Sequence, residues 1–429
     1  GYEHFGFTPD DDRYYKSRPV PRGMSISDTS LHSQLLKLDF SLKRVSINCS
    51  GCHQGEYLNA AGKRVLQPGM PNHTADLQGF KRFFGTAFQD PRFEANRVIQ
   101  EINAALDEEK RPPLTWKEQL IYAGLVQTMK RLTRVAAGAW MDVRPDNGPG
   151  RIDPFNAVKF EVLKVPDDRT VATLDFPSVW NQRREIRPWH HCDGNTDDSS
   201  ARNFGSVIGV GGVAASVNKR VVTRNGEWLD EFPPPKYPFA PPDAVSVARG
   251  FDVFKQRCAA CHGTFERSKN DLVDRDKWPQ FMTVDLKVGT DPERWKAFLP
   301  DTAEALNLFG FNSNLWPRQA FRGSANPGGY LSGPLDGIWA RAPYLHNGSV
   351  PNIEELLKPP AQRVKVFYRG NRHYDEAKLG FVSDRATDDQ RALFKYDTAL
   401  TGNWNVGHDY GTDLDAASRA ELIAYLKTL

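Results

Sequence analysis

The sequence has no long hydrophobic segment and almost no excess of charge. Its 56 Lys and Arg residues against 53 Asp and Glu residues give a formal net charge of +3 over 429 residues, too small to indicate nucleic-acid binding. The longest nearly apolar run, SVIGVGGVAASV at residues 206–217, is too short to cross a bilayer and is broken by glycines. We therefore expect no nucleic-acid partner and no membrane span.

Hydrophobic residues are also scarce, at 39% of the chain, whereas there are 30 prolines and 34 glycines. This composition is typical of a loop-rich soluble protein, and we expect its core to be filled in part by a group other than side chains. The length predicts two or three domains. The chain begins with Gly1 rather than Met, which we interpret as a processed or trimmed form.

Only five cysteines are present, and four of them form two C-x-x-C-H motifs, CSGCH at 49–53 and CAACH at 258–262. A structural zinc site would need a second pair of ligands close by, and a thioredoxin-like dithiol would need no trailing histidine. Attachment of a c-type haem needs two thiols for the vinyl groups and an imidazole for the iron at this spacing. The sequence therefore predicts two covalently bound c-type haems. The predicted ligands are Cys49, Cys52 and His53 for the first haem and Cys258, Cys261 and His262 for the second.

The predicted haems also indicate where in the cell the protein is located. Free C-x-x-C pairs oxidise outside the cytoplasm, where c-type haem is attached, so we expect a periplasmic or secreted bacterial protein. The fifth cysteine, Cys192 in WHHCDGN, is either a buried free thiol or a residue that lines a haem pocket.

A proline-rich segment, FPPPKYPFAPPD at 232–243, predicts a linker. We expect an N-terminal haem domain at 1–232, the linker at 233–243 and a C-terminal cytochrome c domain at 244–429. The segment after the linker has the period of an amphipathic helix leading into the second motif, and residues 414–429 predict a C-terminal helix that packs against it. The predicted fold class is mainly α, with two cytochrome c-like haem domains, long loops and few short strands.

Further helices are predicted in the first half, at residues 31–42, 93–106 and 115–140. Thr115 and Glu118 form the pattern of a capping box at the start of the third helix. The C-terminal helix has two candidate caps, a capping box at Ser418 and Glu421 or a single cap at Asp415.

Three sequence blocks carry a resemblance to a known family. GIWARAPYLHNGSVPNIEELL at 337–357 resembles the signature of the bacterial dihaem cytochrome c peroxidase superfamily. GPGRIDPFNAVKF at 148–160 and DGNTDDSSARNFGSVIGVG at 193–211 resemble the branch that includes the rubber oxygenases. The resemblance extends from about residue 45 to the end. It implies two cytochrome c domains, one haem that meets a small oxidant, H2O2 or O2, and one that relays electrons from a periplasmic donor protein. It leaves a calcium ion between the haems as an open candidate.

For the relay haem, the peroxidases supply a methionine downstream of the PYxHxG block as the second axial ligand. This chain has no methionine after Met282, so the resemblance to the rubber oxygenases makes His346 the best candidate. The alternative is that His346 binds a haem propionate, with His373 and His408 as the next candidates for the iron.

For the first haem, His73 lies near the position of the distal histidine of the peroxidases, with Met70 close by. His190 and His191 are alternatives that would line the pocket as acid and base groups. The neighbouring Trp189 completes a polar and aromatic cluster suited to a pocket for an oxidant. The candidate catalytic residues are therefore His73, Trp189, His190 and His191.

The function expected from these features is activation of hydrogen peroxide at the N-terminal haem, with electron relay through the C-terminal haem. Two alternatives stay open: an O2-dependent dioxygenase of the rubber oxygenase type, and a non-catalytic dihaem electron carrier. The long block between the two motifs favours an enzyme, because a simple carrier does not need it.

Overall fold

The structure is a computed structural model that describes residues 2–7, 20–33, 38–136, 139–269, 271–273, 288–323, 330–388 and 391–429. The α-helices are α1 (Ser50–His53), α2 (Leu77–Gln89), α3 (Ala95–Glu108), α4 (Trp116–Ala136), α5 (Ala139–Asp142), α6 (Pro154–Ala157), α7 (Ser199–Gly209), α8 (Lys219–Glu231), α9 (Ala244–Arg257), α10 (Ala259–His262), α11 (Glu293–Lys296), α12 (Pro300–Asn312), α13 (Ile353–Leu356) and α14 (Ala416–Leu426). A π-helical turn, Val158–Val162, follows α6, and short 3-10 turns lie at Tyr2–Phe5, Ala214–Ser216, Arg267–Lys269, Ile338–Arg341 and Pro360–Gln362.

The strands are short and pair two by two. They are β1 (Met24–Ser33), β2 (Leu38–Ile47), β3 (Gln54–Leu58), β4 (Arg64–Pro68), β5 (Arg151–Ile152), β6 (Leu174–Asp175), β7 (Thr264–Glu266), β8 (Asp271–Val273), β9 (Val366–Arg369), β10 (Tyr374–Asp375), β11 (Gly380–Phe381), β12 (Thr387–Asp388), β13 (Arg391–Ala392) and β14 (Phe394–Asp397). Each described strand belongs to a two-stranded antiparallel sheet, and β9 pairs with β14. Helix accounts for 41% and strand for 13% of the structure, so the secondary structure is mixed, with more strand pairs than we expected.

The helix predicted at residues 31–42 is wrong. Met24–Ser33 and Leu38–Ile47 form an antiparallel pair, with Met24 opposite Ile47 and Ser33 opposite Leu38, and residues 34–37 lie outside the described part. The physical reason lies in LDFSLKRVSI, where apolar and polar residues alternate one by one except at Lys43 and Arg44, which are two polar residues in succession. That period of two is the period of a strand, and it outweighs the few apolar positions that also fit a helix.

The segment Leu77–Asp146 is a compact helical unit. Its helices α3 and α4 confirm the predictions at 93–106 and 115–140, except that residues 137–138 lie outside the described part. The capping box is present: Glu118 Oε2 accepts the Thr115 N–H at 2.7 Å, and Thr115 Oγ1 accepts the Glu118 N–H at 3.4 Å. Both α2 and α3 pack on α4.

The other compact unit combines Gly1–Asp76 with Asn147–Leu429. It holds both C-x-x-C-H motifs and the proline-rich segment, and the predicted division into two haem domains stays a prediction. The proline-rich segment packs closely within this unit, because the Pro235 carbonyl accepts the Trp339 indole N–H at 3.0 Å. Trp339 and Trp180 are fully buried in its main hydrophobic core.

Helix α9 packs against α14, as predicted for the second haem motif. Phe254 of α9 lies 5.1 Å from Tyr425 of α14, measured between ring centres. The close approach requires Gly250, because a Cβ at that position would lie 1.9 Å from the Glu421 carbonyl oxygen. Asp415, rather than the alternative capping box, caps α14 by accepting the Ser418 N–H at 2.7 Å.

Candidate haem cavity

The first motif folds as one helical turn that fixes its histidine. The His53 N–H donates to the Cys49 carbonyl at 3.0 Å, and the His53 ring Nδ1 lies 2.9 Å from the Pro177 carbonyl oxygen. A proton on Nδ1 satisfies that carbonyl and leaves Nε2 as the free lone pair. Burial lowers the pKa of His53 to about 4, so the ring is neutral, which is the form that binds a metal.

The second motif repeats the same arrangement. The His262 N–H donates to the Cys258 carbonyl at 3.0 Å, and Nδ1 lies 2.9 Å from the Gly333 carbonyl oxygen. Burial lowers the pKa of His262 as well. None of the five cysteines forms a disulfide, so the thiols of both motifs are available for another bond.

Both motifs line one continuous cavity of about 590 Å³. Cys52 and His53 contribute to it from α1, and Cys258, Cys261 and His262 contribute from the end of α9 and from α10. The sequence alone does not predict that two motifs so far apart in the chain share one interior. Protein interiors are normally close-packed, so a cavity this large in a protein of low hydrophobic content indicates that bound groups complete the core.

Three features of the walls fit haem. The histidines of both motifs are neutral and fixed by a carbonyl at Nδ1. Among the described residues, one ring nitrogen each of His346 and His408 is buried without a hydrogen-bond partner. The buried guanidinium of Arg202 also lines the cavity, and two of its nitrogens have no partner in the described part of the chain. Buried polar groups are normally satisfied, so these atoms fit a bound group that carries a metal and anionic substituents.

His408 lies opposite His262. The two ring centres are 6.3 Å apart, with the planes inclined by 47°. Two imidazoles that bind one metal ion, each through a nitrogen at about 2 Å, have ring centres separated by about 6 Å. The position of His408 is fixed by its backbone, since its N–H donates to the Val288 carbonyl at 2.7 Å and its carbonyl accepts from Arg363 at 3.0 Å. Its φ of 52° is unusual for a side chain of this size, and such conformations persist where the surroundings hold them.

His346 also lines the cavity, in a different setting. Its ring stacks on Tyr330 with the centres 3.9 Å apart, and burial lowers its pKa to about 3. The other candidate for the second iron, His373, lies at the surface with its Nε2 3.2 Å from Asp388 Oδ1. The geometry therefore brings His408, a later candidate from the sequence, close to His262.

His73 does not line this cavity, although the neighbouring Asn72 N–H donates to the Cys52 carbonyl of the first motif at 2.8 Å. Its ring stacks on Phe381 with the centres 3.7 Å apart, and its Nε2 lies 2.9 Å from the Asn371 carbonyl oxygen. It lines a separate small cavity with Phe381 and Arg369. Met70, the neighbouring candidate, is fully buried in the hydrophobic core around Trp180. The structure therefore does not bring His73 or Met70 to the cavity wall beside His53.

Trp189, His190, His191 and Cys192 do line the cavity. Burial lowers the pKa of His190 to about 2, and the charge of Arg202 acts in the same direction. His191 has its Nδ1 2.7 Å from Asn195 Oδ1, which orients the ring. Burial raises the pKa of Cys192 to about 12, so this residue is a thiol and not a thiolate. The structure thus brings three of the four candidate catalytic residues together.

The cavity wall beside α7 also has an apolar face that the sequence analysis did not single out. Arg202, whose charge helps to lower the pKa of His53, lies on α7. Gly205 and Gly209 of the same helix line the cavity one turn apart, and Gly205 lies against Phe321. The available signal was Gly209 within the apolar run at 206–217 and Gly205 directly before it. The apolar residues on this face include Phe155, Val158, Ile186, Leu306 and Phe321.

Comparison with known proteins gives the family. Residues 329–368 match the sequence model of a family described as RoxA-like, cytochrome c-like. The uncharacterized protein y4iJ of Sinorhizobium fredii is 27% identical over an alignment that covers 90% of this chain and 77% of that protein. The uncharacterized protein y4iM of the same organism is 32% identical, with 67% of this chain and 72% of that protein covered. The chain belongs to the same protein family as y4iM.

The RoxA-like match relates the chain to the cytochrome c domains of rubber oxygenases and supports a haem cofactor. It covers the PYLHNGS block and the turn Ile338–Arg341, both at the cavity wall. No helix within the described residues is long and apolar enough to cross a membrane. In the same residues, no group of three or more His, Cys, Asp or Glu side chains is arranged to hold a metal ion, so nothing in them supports the calcium candidate.

Proposed function

We propose that this protein is an oxidoreductase with two covalently bound c-type haems, and that it acts as an O2-dependent oxygenase on an apolar substrate. The observation that carries the proposal is that both C-x-x-C-H motifs line one cavity, each with its histidine Nδ1 held by a backbone carbonyl. The RoxA-like match supports this choice over the peroxidase that we first expected. When bound, haem supplies electron transfer and the activation of dioxygen.

The proposed iron ligands are His53 in the first site and the pair His262 and His408 in the second. The 6.3 Å between the ring centres of His262 and His408 supports this pair. We therefore replace His346, favoured on sequence, by His408. Two imidazoles would hold the second iron six-coordinate and closed to small molecules, which suits electron relay.

The apolar cavity wall beside α7 supports an apolar substrate. Phe155, Val158 and Leu306 present hydrocarbon to the cavity, and Gly205 and Gly209 let Phe321 and Pro154 pack closely against α7. Such a surface excludes water and binds hydrocarbon by burial rather than through directed polar contacts. Cleavage of a carbon–carbon double bond by O2 places one oxygen atom on each new carbonyl and needs no external reductant in the overall balance.

Peroxide reduction would require different properties of the residues that line the cavity. A peroxidase needs a general base that takes a proton from peroxide and returns it, and its best pKa lies near the working pH. The pKa of His190 is about 2, because the ring is buried beside Arg202. The ring is therefore a weak base, although its neutral N–H can still donate a hydrogen bond. His190, His191 and Trp189 are better suited to orient a bound molecule than to transfer protons.

We also propose a location outside the cytoplasm and a protein electron donor. The location follows from the chemistry of haem attachment to two thiols. The donor would reach the second site, where Arg257 and Tyr410 line the cavity and are exposed. Reduction through this site would keep the iron at His53 ready to react.

The first test is a haem count. We expect acid-acetone extraction to leave all the colour with the polypeptide, and the pyridine haemochrome to give two haems per chain. The double substitution of Cys49 and Cys52 by Ala should remove one haem and spare the other. Haem that is extracted from the unmodified protein would refute covalent attachment.

The second test concerns the reaction. Squalene, an unsaturated hydrocarbon, should be cleaved with uptake of O2, and with ¹⁸O2 both new carbonyl groups should carry the label. Hydrogen peroxide with a reduced cytochrome as donor should be turned over much more slowly. Fast peroxide turnover without oxygen uptake would restore the peroxidase. If cyanide perturbs neither haem in the oxidised or half-reduced protein, the protein is an electron carrier.

A further inference from the structure

Two arginines share one aspartate at the wall of the haem cavity. Arg187 Nη2 lies 2.9 Å from Asp336 Oδ1, and Arg341 Nη2 lies 2.6 Å from the same oxygen. The Asp336 side chain is completely buried, and the two arginine side chains are 15% and 16% exposed. Both arginines line the cavity. Arg187 precedes α7 and Arg341 ends the 3-10 turn Ile338–Arg341, so the fold brings distant segments together here.

This cluster, Arg187–Asp336–Arg341, carries a net charge of +1. Its other hydrogen bonds are to neutral groups: Arg187 Nε donates to the Trp180 carbonyl at 3.3 Å, and Arg341 Nη1 donates to the Pro334 carbonyl at 2.8 Å. Two more arginines lie close enough to interact with it electrostatically, Arg202 with Arg187 and Arg267 with Asp336. The second oxygen of Asp336 accepts from Asn181 Nδ2 at 2.7 Å. Burial lowers the pKa of Arg341 to about 10, which shows that the charge is held at a cost. A buried charge normally has an opposite partner, so the cavity wall is set for one more anion.

The cluster lies beside the second motif. The Gly333 carbonyl accepts the hydrogen bond of His262 Nδ1, and Arg187 Nη1 is 3.7 Å from the position that a Cβ on Gly333 would take. Arg341 binds the carbonyl of the next residue, Pro334. Arg341 thus contacts the segment that orients His262, and Arg187 lies close to it. Guanidinium groups bind carboxylates in a planar, two-point geometry.

We propose that the Arg187–Asp336–Arg341 cluster binds a carboxylate of the porphyrin held at His262 and sets the reduction potential of that iron. This inference rests on the proposed function, since it requires a haem at His262. The cluster contributes a positive charge near the iron, and reduction adds an electron. More positive charge therefore stabilises the reduced iron, and less stabilises the oxidised iron.

The test is a charge series in the full-length protein that carries its haems, measured by spectroelectrochemical titration. Arg187→Gln lowers the net charge of the cluster from +1 to 0, and Asp336→Asn raises it to +2. The first should lower the potential of the second haem and the second should raise it. We expect shifts of about 59 mV, a tenfold change in the one-electron equilibrium. The variant that combines both substitutions has the net charge of the unmodified cluster, so its reduction potential should lie close to that of the unmodified protein.

Two further variants complete the design. Arg341→Lys keeps the charge and should keep the reduction potential. It therefore distinguishes an effect of charge from an effect of a disturbed structure. Arg257→Gln is the matched control, because Arg257 also lines the cavity but is exposed and pairs with the exposed Asp413 at 2.8 Å. It should change the potential much less. In resonance Raman spectra, the propionate bending modes of the second haem should move in Arg187→Gln and not in the control.

The outcomes separate the two levels of the proposal. A haem count below two would defeat the proposed function, whereas two haems with potentials that stay fixed or move the same way in both charge variants would defeat this inference alone. A free carboxylate is the other source of the same chemistry. If octanoate binds the unmodified protein with a spectral change that Arg187→Gln abolishes, the cluster receives an incoming carboxylate and the porphyrin assignment is overturned.

Discussion

The burial of His73 predicts a specific loss of stability in acid. His73 is almost completely buried, its ring stacks on Phe381, and its pKa is lowered from 6.5 to about 3, mainly by burial. A histidine whose pKa is lower in the folded than in the unfolded state stabilises the fold above pH 6.5. That contribution is lost as the pH falls from 6.5 toward 3, because only the unfolded chain takes up the proton. His73 should therefore destabilise the fold progressively below neutral pH.

The size follows from the two pKa values. At pH 5, about 1.5 pH units below the ordinary pKa of histidine, His73 is protonated in the unfolded chain but stays neutral in the folded protein. Between pH 7 and pH 5 this difference lowers the free energy of unfolding by about 2 kcal/mol. His73→Gln removes the titrating group but keeps a donor toward the Asn371 carbonyl. The variant should be less stable at pH 7, because it loses the stacked ring. Between pH 7 and pH 5, the free energy of unfolding of the variant should also fall by about 2 kcal/mol less than that of the unmodified protein.

The assay is urea unfolding at pH 7 and pH 5, followed by far-ultraviolet circular dichroism of the protein with its haems. The control is His4→Gln, because His4 is exposed. The reasoning is refuted if His73→Gln and His4→Gln show the same dependence on pH as the unmodified protein. A change in the haem spectrum of His73→Gln would show instead that His73 acts on the first iron, as the sequence first suggested.

Three further predictions concern the cavity walls. His408→Ala should convert one low-spin haem to a high-spin form in electron paramagnetic resonance, whereas His346→Ala should leave both axial ligand sets intact; the reverse result would return His346 to the iron. Gly205→Ala places a Cβ 3.2 Å from Phe321 Cζ, so we expect about 1 kcal/mol of destabilisation and weaker imidazole binding at the first haem in spectral titration. Asp153 caps α6 by accepting the N–H of the third helical residue, so Asp153→Ala should lower the free energy of unfolding by about 2 kcal/mol. Asp153→Asn should retain most of the stability in chemical unfolding. Equal losses in the two variants would show that the cap is unimportant.

Local features of this protein could be predicted from the sequence because they depend on neighbours in the chain. The C-x-x-C-H spacing places two thiols and an imidazole on one helical turn, whatever surrounds it. The capping box at Thr115 and Glu118 and the period of α4 depend only on residues three and four apart. The hairpin of β1 and β2 shows the limit of this approach, because a short apolar segment fits two periods and pairing with a partner strand decides between them.

The proposed ligand of the second iron shows what required the tertiary structure. His346 was favoured because it lies in a recognisable block, and both His346 and His408 line the cavity. Only the fold brings the ring centre of His408 to 6.3 Å from that of His262. His73 gives the opposite case, since its place in the sequence suggested a ligand and packing against Phe381 gives it another role.

The sequence by itself determined the chemistry that each motif can carry, because haem attachment needs only five consecutive residues. It also determined where several helices begin and end. Only the tertiary structure decided that both motifs open into one cavity, that His408 lies near His262, and that Arg187 and Arg341 meet at Asp336. The physical reason is that these relations join residues far apart in the chain, and long-range contacts are fixed by the packing of the whole core rather than by any local pattern.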